Sequence, residues 1–202
     1  MKNFIYPIID FIFSNSQIFD KFRNVIHDNF RNEENIINKN FDRNKLILDF
    51  GCGAGQFSTL FNSSKYYGVD TNKKYIKFCK FNRKGNFFLI KNYPPYKFNK
   101  EYFDQILVSA VIHHINNNKL ISISKELNKI LKNNGKLMII DHFTKKNQKN
   151  IFCKFLIELD RGKYFRNPNE VINLFSKYFR VKNIKIFKNG PYKDYALVLM
   201  KR

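Results

Sequence analysis

Cysteine is scarce: Cys52, Cys79 and Cys153 are the only three in 202 residues. An odd number with no short-range pairing and no metal-ligand spacing excludes a disulfide framework and a zinc site, so no metal is expected and a reducing cytoplasm fits best. No hydrophobic run approaches the length of a membrane span. The amino-terminal segment from Phe4 to Phe13 is apolar, but Pro7 and Asp10 interrupt it and no small-residue cleavage site follows, so a secretory signal is not expected. Acidic residues are also few, 16 against 37 lysines and arginines, which leaves a net charge of +21. Such a balance ordinarily points to nucleic acid or an anionic membrane. Here the lysines are scattered rather than gathered in one arm, and Lys, Asn, Ile and Phe dominate throughout, a drift expected of an AT-rich genome. A linker long enough to split the chain and an internal repeat are both missing. With 44% apolar and 17% aromatic residues, the chain has the material for one large core rather than a disordered tail.

Residues 1–44 read as a helical cap. Asn3, Pro7, Asp10 and Ser14 draw one polar stripe along the first segment, and Ile18, Phe19, Phe22, Val25, Ile26 and Phe30 form a second amphipathic helix before a polar stretch from Arg31 to Asn40. The default is a cap over the later domain; the alternative for the first segment is an interfacial membrane helix, giving peripheral contact through residues 4–13. From residue 45 to 202 short apolar runs alternate with helical ones. Lys45–Phe50, Tyr66–Val69, Asn86–Ile90, Phe103–Ser109 and Lys136–Ile140 read as strands buried on both faces, with helices around Gln56–Phe61, Asn72–Asn82 and Asn118–Lys132 between them. That alternation predicts an α/β, doubly wound, Rossmann-like and mostly parallel sheet. Asn133, Asn134 and Gly135 are expected to stop the long helix. Asn167, Pro168 and Glu170 start another, running to about Tyr178. The last two runs, Val181–Phe187 and Tyr195–Met200, are joined too closely for a parallel crossover, so the seven-stranded sheet should end in an antiparallel hairpin.

The most informative stretch is Asp49, Phe50, Gly51, Cys52, Gly53, Ala54, Gly55, Gln56. A buried strand running into three glycines and then a helix lets backbone approach a ligand at the carboxyl edge of a sheet. Nineteen residues beyond Gly51, the second strand ends in Asp70, where a carboxylate can accept hydrogen bonds from both hydroxyls of a ribose. Gln56 stands where dinucleotide binding prefers a third glycine, and no lysine with serine or threonine follows to make a P-loop. Asp49 would sit badly beside a phosphate and well beside an ammonium group.

These residues resemble class I S-adenosylmethionine-dependent methyltransferases. The likeness covers about residues 45 to 142: Asp49 to Gly55, Asp70, Phe103 with Asp104, Val111 through His114, Glu126, Leu131, Asn134 to Lys136, and Asp141. Asp160, Arg161, Gly162, Tyr164 and Arg166 add a likeness to small-molecule methyltransferases of bacterial biosynthetic clusters. The resemblance implies S-adenosylmethionine as cofactor. It would be held by Gly51, Cys52, Gly53 and Gly55 under the methionine part, Asp49 near the amino group, Asp70 on the ribose, Asn92 toward the adenine amino group, and Ser109 at the end of the fourth strand. The run Asn92, Tyr93, Pro94, Pro95, Tyr96 is similar to the Asn-Pro-Pro-Tyr motif of amino-directed nucleic-acid methyltransferases. Tyr93 interrupts it, however, and it precedes the fourth strand instead of following it.

If the acceptor is a hydroxyl, a positioned base helps to take its proton. Of four histidines, His113, His114 and His142 follow the fourth and fifth strands at the ligand-binding edge, and His27 lies on the early helix. His114 is the first candidate, with Asp141 and His142 as a second pair. The competing reading is that His113 or His114 merely packs under the loop while the other caps the next helix. Asp160, Arg161 and Arg166 could bind an anionic acceptor, cover the pocket or form a surface ion pair. The favoured function is methyl transfer to a small molecule. An RNA methyltransferase, a cofactor-binding protein without turnover and a nicotinamide oxidoreductase are the alternatives.

Overall fold

The computed structural model describes residues 30–91, 98–143, 153–154, 157 and 162–201. The expected helices over 4–13 and 18–30 fall almost wholly outside these residues, as do His27, Asn92 to Tyr96, Asp160 and Arg161. The first described helix, α1 (Arg31–Asn40), occupies the stretch expected to be merely polar. Its apolar signal is thin, because only Ile36 and Ile37 are buried hydrophobics within it. Flanking aromatics anchor it to the core: Phe30 meets Phe57 edge-on at 5.7 Å and Phe41 meets Phe61 at 6.5 Å.

Seven strands follow: β1 (Ile47–Phe50), β2 (Tyr66–Asp70), β3 (Asn86–Leu89), β4 (Phe103–Ser109), β5 (Leu131–His142), β6 (Phe179–Asn189) and β7 (Tyr192–Lys201). Their order in the sheet is β3-β2-β1-β4-β5-β7-β6. The first five are parallel, and β7 runs antiparallel to both β5 and β6. The doubly wound sheet and its closing hairpin are therefore as expected. Side chains alternate across it. Ile47, Leu107, Met138 and Ile140 join α1 and α2 (Lys73–Asn82) on one face. Leu48, Ile106, Val108 and Ile139 join α3 (Asn117–Ile130) and α4 (Pro168–Phe175) on the other.

Several boundaries differ from expectation for local reasons. Gln56–Leu60 is a short 3-10 helix. α3 ends at Ile130, before the Asn-Asn-Gly run, because Leu131 is extended and wholly buried. That run instead forms an irregularity within β5, where the register against β4 jumps from Phe103↔Leu131 to Gln105↔Lys136. α4 begins as expected, with Glu170 accepting a hydrogen bond from the Asn167 amide at 2.6 Å, but stops at Phe175. β3 is an edge strand, not buried on both faces: Phe88 is 43% exposed.

Candidate functional site

The carboxyl ends of β1, β2, β4 and β5 converge at one edge of the sheet. After β1 the backbone amides of Gly51 and Cys52 both donate to the Val69 carbonyl of β2, at 2.8 and 3.0 Å, which folds the loop across the top of the strand. Gly51, Gly53 and Gly55 all have positive φ, of 79, 52 and 71°. At Gly51 a Cβ would also stand 2.4 Å from Val111 Cγ2. Gly51→Ala is therefore expected to cost about 1–3 kcal/mol of stability, read as a lowered melting midpoint. An unchanged midpoint would show that the loop can relax.

Asp70 braces this loop from β2. One carboxylate oxygen accepts the Gly53 amide at 2.9 Å and the other the Asn72 amide at 2.7 Å. A carboxylate has about four acceptor sites, so it can serve more than one partner at once. Asp49 is buried, and its Oδ2 accepts the Tyr66 hydroxyl at 2.5 Å. Burial first, and then the Asp49 charge, push the Tyr66 phenol well above its ordinary range. The Cys52 thiol is buried in the cluster with Phe57, Ile76, Cys79 and Phe87, where Cys79 Sγ donates to the Gly53 carbonyl at 3.4 Å. A hydrogen bond to Cys79 and burial raise the Cys52 thiol well above its ordinary range. At the end of β4, Ala110 adopts φ +54° and buried Ser109 Oγ has no hydrogen-bond partner among the described residues.

The histidines are arranged otherwise than expected. His114, the first candidate, is exposed. His113 is buried, and its Nδ1 lies 2.5 Å from Asp141 Oδ1, while its backbone amide donates to Asp141 Oδ2 at 3.3 Å. Asp141 thus pairs with the His113 side chain, whereas to His142 it offers only a backbone contact, from the amide at 2.8 Å. The His142 ring turns instead to Asp194 on β7, Nδ1 to Oδ1 2.7 Å. Asp194 in turn accepts Asn189 Nδ2 at 3.0 Å. Phe165 stacks on His113 at 4.8 Å and Tyr192 on His142 at 4.4 Å. Burial alone would raise the Asp141 carboxyl, but His113 and His142 outweigh it and hold it below the usual range. Burial alone would lower His142; Asp194 and Asp141 outweigh that and hold it above the ordinary imidazole range.

A family model described as methyltransferase domain matches residues 41–181. The chain belongs to that family. It is 31% identical to an uncharacterized protein of Methanocaldococcus jannaschii over 110 residues, which is 54% of this chain and 46% of the relative. It is 30% identical to a tRNA (carboxymethyluridine(34)-5-O)-methyltransferase of Arabidopsis thaliana over 95 residues, 46% of this chain and 23% of that protein. The matched stretch is thus less than half the length of these curated relatives. A crystal structure of an S-adenosylmethionine-dependent methyltransferase from Archaeoglobus fulgidus superposes with a TM-score of 0.72 and 17% identity, covering 91% of this chain and 99% of that one, and shares the fold.

The cofactor of this methyltransferase domain is S-adenosylmethionine, and the residues present fit it. Three left-handed glycines remove side chains from the loop, Asp70 places a carboxylate at the end of the neighbouring strand, and the buried Ser109 hydroxyl lies at the same edge. Arg166 plays a part different from the three weighed for it. It is only 6% exposed and donates to the carbonyls of Ile112, Ile115 and Tyr164 at 2.8, 2.6 and 2.9 Å and twice to Asn117 Oδ1. The amides of Lys163 and Tyr164 meanwhile donate to the His113 carbonyl. This arginine pins the loop that carries His113 and is spent on the fold. Sequence reasoning missed both this role and Asp194. Asp194 lies just before the run first read as a strand, and only the antiparallel register, His142 opposite Asp194, brings it to the site.

Proposed function

We propose that the chain transfers the methyl group of S-adenosylmethionine to a hydroxyl of a small-molecule acceptor, with His113 as general base and Asp141 orienting it. When bound, the cofactor supplies an electrophilic methyl on a sulfonium and leaves as S-adenosylhomocysteine. Asp49 would face its amino group, the Gly51–Gly55 loop its methionine part, Asp70 its ribose, with Asn92 and Ser109 completing the cradle. The observation that carries the catalytic assignment is the buried contact of His113 Nδ1 with Asp141. With Nδ1–H donated to the carboxylate, the basic lone pair stays on Nε2, the tautomer required to take the acceptor's proton as its oxygen bonds to the methyl carbon. Stacking on Phe165 and the amide bond to Asp141 hold the ring in place. His114 and His142 then have supporting places beside it.

Release of S-adenosylhomocysteine in small-molecule extracts of the host tests this reading. His113→Gln is expected to slow release about 10²-fold or more, with cofactor affinity kept within about twofold, while His114→Gln, which removes only a supporting ring, slows it far less. Full activity in His113→Gln would refute the assignment. A second reading, transfer to RNA, is favoured by the net charge of +21 and by the tRNA named for the Arabidopsis relative. Tight binding of structured RNA that falls steeply with salt would support it. Among the described residues no helix is long and apolar enough to cross a membrane.

A further inference from the structure

We propose that Asp194 is a positioning residue for the His113–Asp141 base, acting through His142 to decide which of the two buried imidazoles holds the cluster's contested proton. This rests on reading His113 as the base, but its test does not. Asp141 divides its charge among three donors: His113 Nδ1, the His113 amide and the His142 amide. Asp194 has fewer claims on it, the His142 ring and the Asn189 amide group. With two carboxylates and two imidazoles out of water, both rings protonated would balance the charge, and the first proton lost leaves the less firmly held ring. His142 shares Asp194 with the neutral Asn189 amide alone and has Asp141 alongside, so it keeps its proton. His113 gives its proton up.

The physical value of this arrangement lies in what a lone dyad would do. A buried histidine against one aspartate tends to stay protonated, and an imidazolium cannot act as a base. A cation on His142, whose ring centre is 5.7 Å from that of His113, opposes a second positive charge there. At that separation and an effective dielectric of about 20, one unit charge changes a neighbour's proton affinity at least tenfold. Among the described residues, the charged and titratable groups around the two rings are Asp141, Asp194 and Tyr192 beside His142, and His114, whose ring centre is 4.1 Å from that of His113; Tyr195 and Cys153 act on the pair through the carboxylates Asp141 and Asp194. Arg166 adds a fixed positive charge toward Asp141 and Tyr195. Tyr195 lies opposite Asp141, and its phenol, pushed well up by burial and then by the Asp141 charge, stays neutral. Burial and the Asp194 charge push the Cys153 thiol up to about 12, so it too is neutral at the pH where the rings titrate.

Nitrogen–proton NMR spectra of the imidazole rings, followed across pH on the full chain, test the inference without any acceptor. There are only four histidines, so single substitutions assign them. In the wild type His113 should lose its ring proton at lower pH than His142. In Asp194→Asn the order should reverse, with His113 binding its proton at least tenfold more tightly, and Asp194→Glu should restore the original order. His142→Gln, which removes the competing cation without touching Asp194, should raise the His113 affinity in the same direction and serves if Asp194→Asn fails to fold. A His113 titration unmoved in these variants would overturn the proposal. Loss of methyl transfer in His113→Gln alongside an unmoved titration would leave the base in place and remove Asp194 from its control.

Discussion

Replacing Arg166 with methionine is expected to destabilise the fold by about 3 kcal/mol or more, seen in urea unfolding as a lower midpoint at unchanged slope. The guanidinium makes five hydrogen bonds at 3.0 Å or less, three of them to the main-chain carbonyls of Ile112, Ile115 and Tyr164. Methionine fills much of the volume but donates nothing. Each carbonyl left buried and unmatched costs about 1–3 kcal/mol, and water can reach some of them, so the total falls at the lower end of the sum. Lysine should recover only part of the loss, because a single ammonium cannot span acceptors on both sides of the loop. A midpoint equal to the wild type would mean that the 112–117 loop is held by other contacts.

Asp70→Ala is expected to weaken binding of S-adenosylmethionine about a hundredfold, or about 2.7 kcal/mol, in titration calorimetry. Two losses combine. The ribose hydroxyls lose a charged acceptor, and Gly53 loses the carboxylate that holds its amide at 2.9 Å and so shapes the loop under the methionine part. Asp70→Asn keeps one oxygen and should fall between. Equal affinity in all three proteins would show that the second strand does not hold the sugar.

The parts of the molecule legible in the sequence are those written in adjacent residues. Ile47 to Phe50 is a continuous buried run and is followed at once by the glycines whose positive φ makes the loop. Asp70 closes the neighbouring strand in the same local way. The hairpin was legible from the brevity of its turn. By contrast α1 escaped notice because the aromatics that dock it, Phe30 and Phe41, flank the helix rather than repeat within it. The length of β5 depends on a register jump against β4, which no local pattern records. The histidine cluster is harder still. His113 meets Asp141 across 28 residues and His142 meets Asp194 across 52, so each pairing is a product of strand order and register. The residue types put histidines and acids at this edge of the sheet. Which histidine takes which carboxylate required the folded sheet.

A crystal structure of the protein grown with S-adenosylhomocysteine tests the central claim most directly. The account predicts the ligand lying over the Gly51–Gly55 loop, both ribose hydroxyls on the Asp70 carboxylate and the sulfur turned toward the side of the site that carries His113. Ligand density elsewhere on the sheet, or a ribose held by groups other than Asp70, would contradict it.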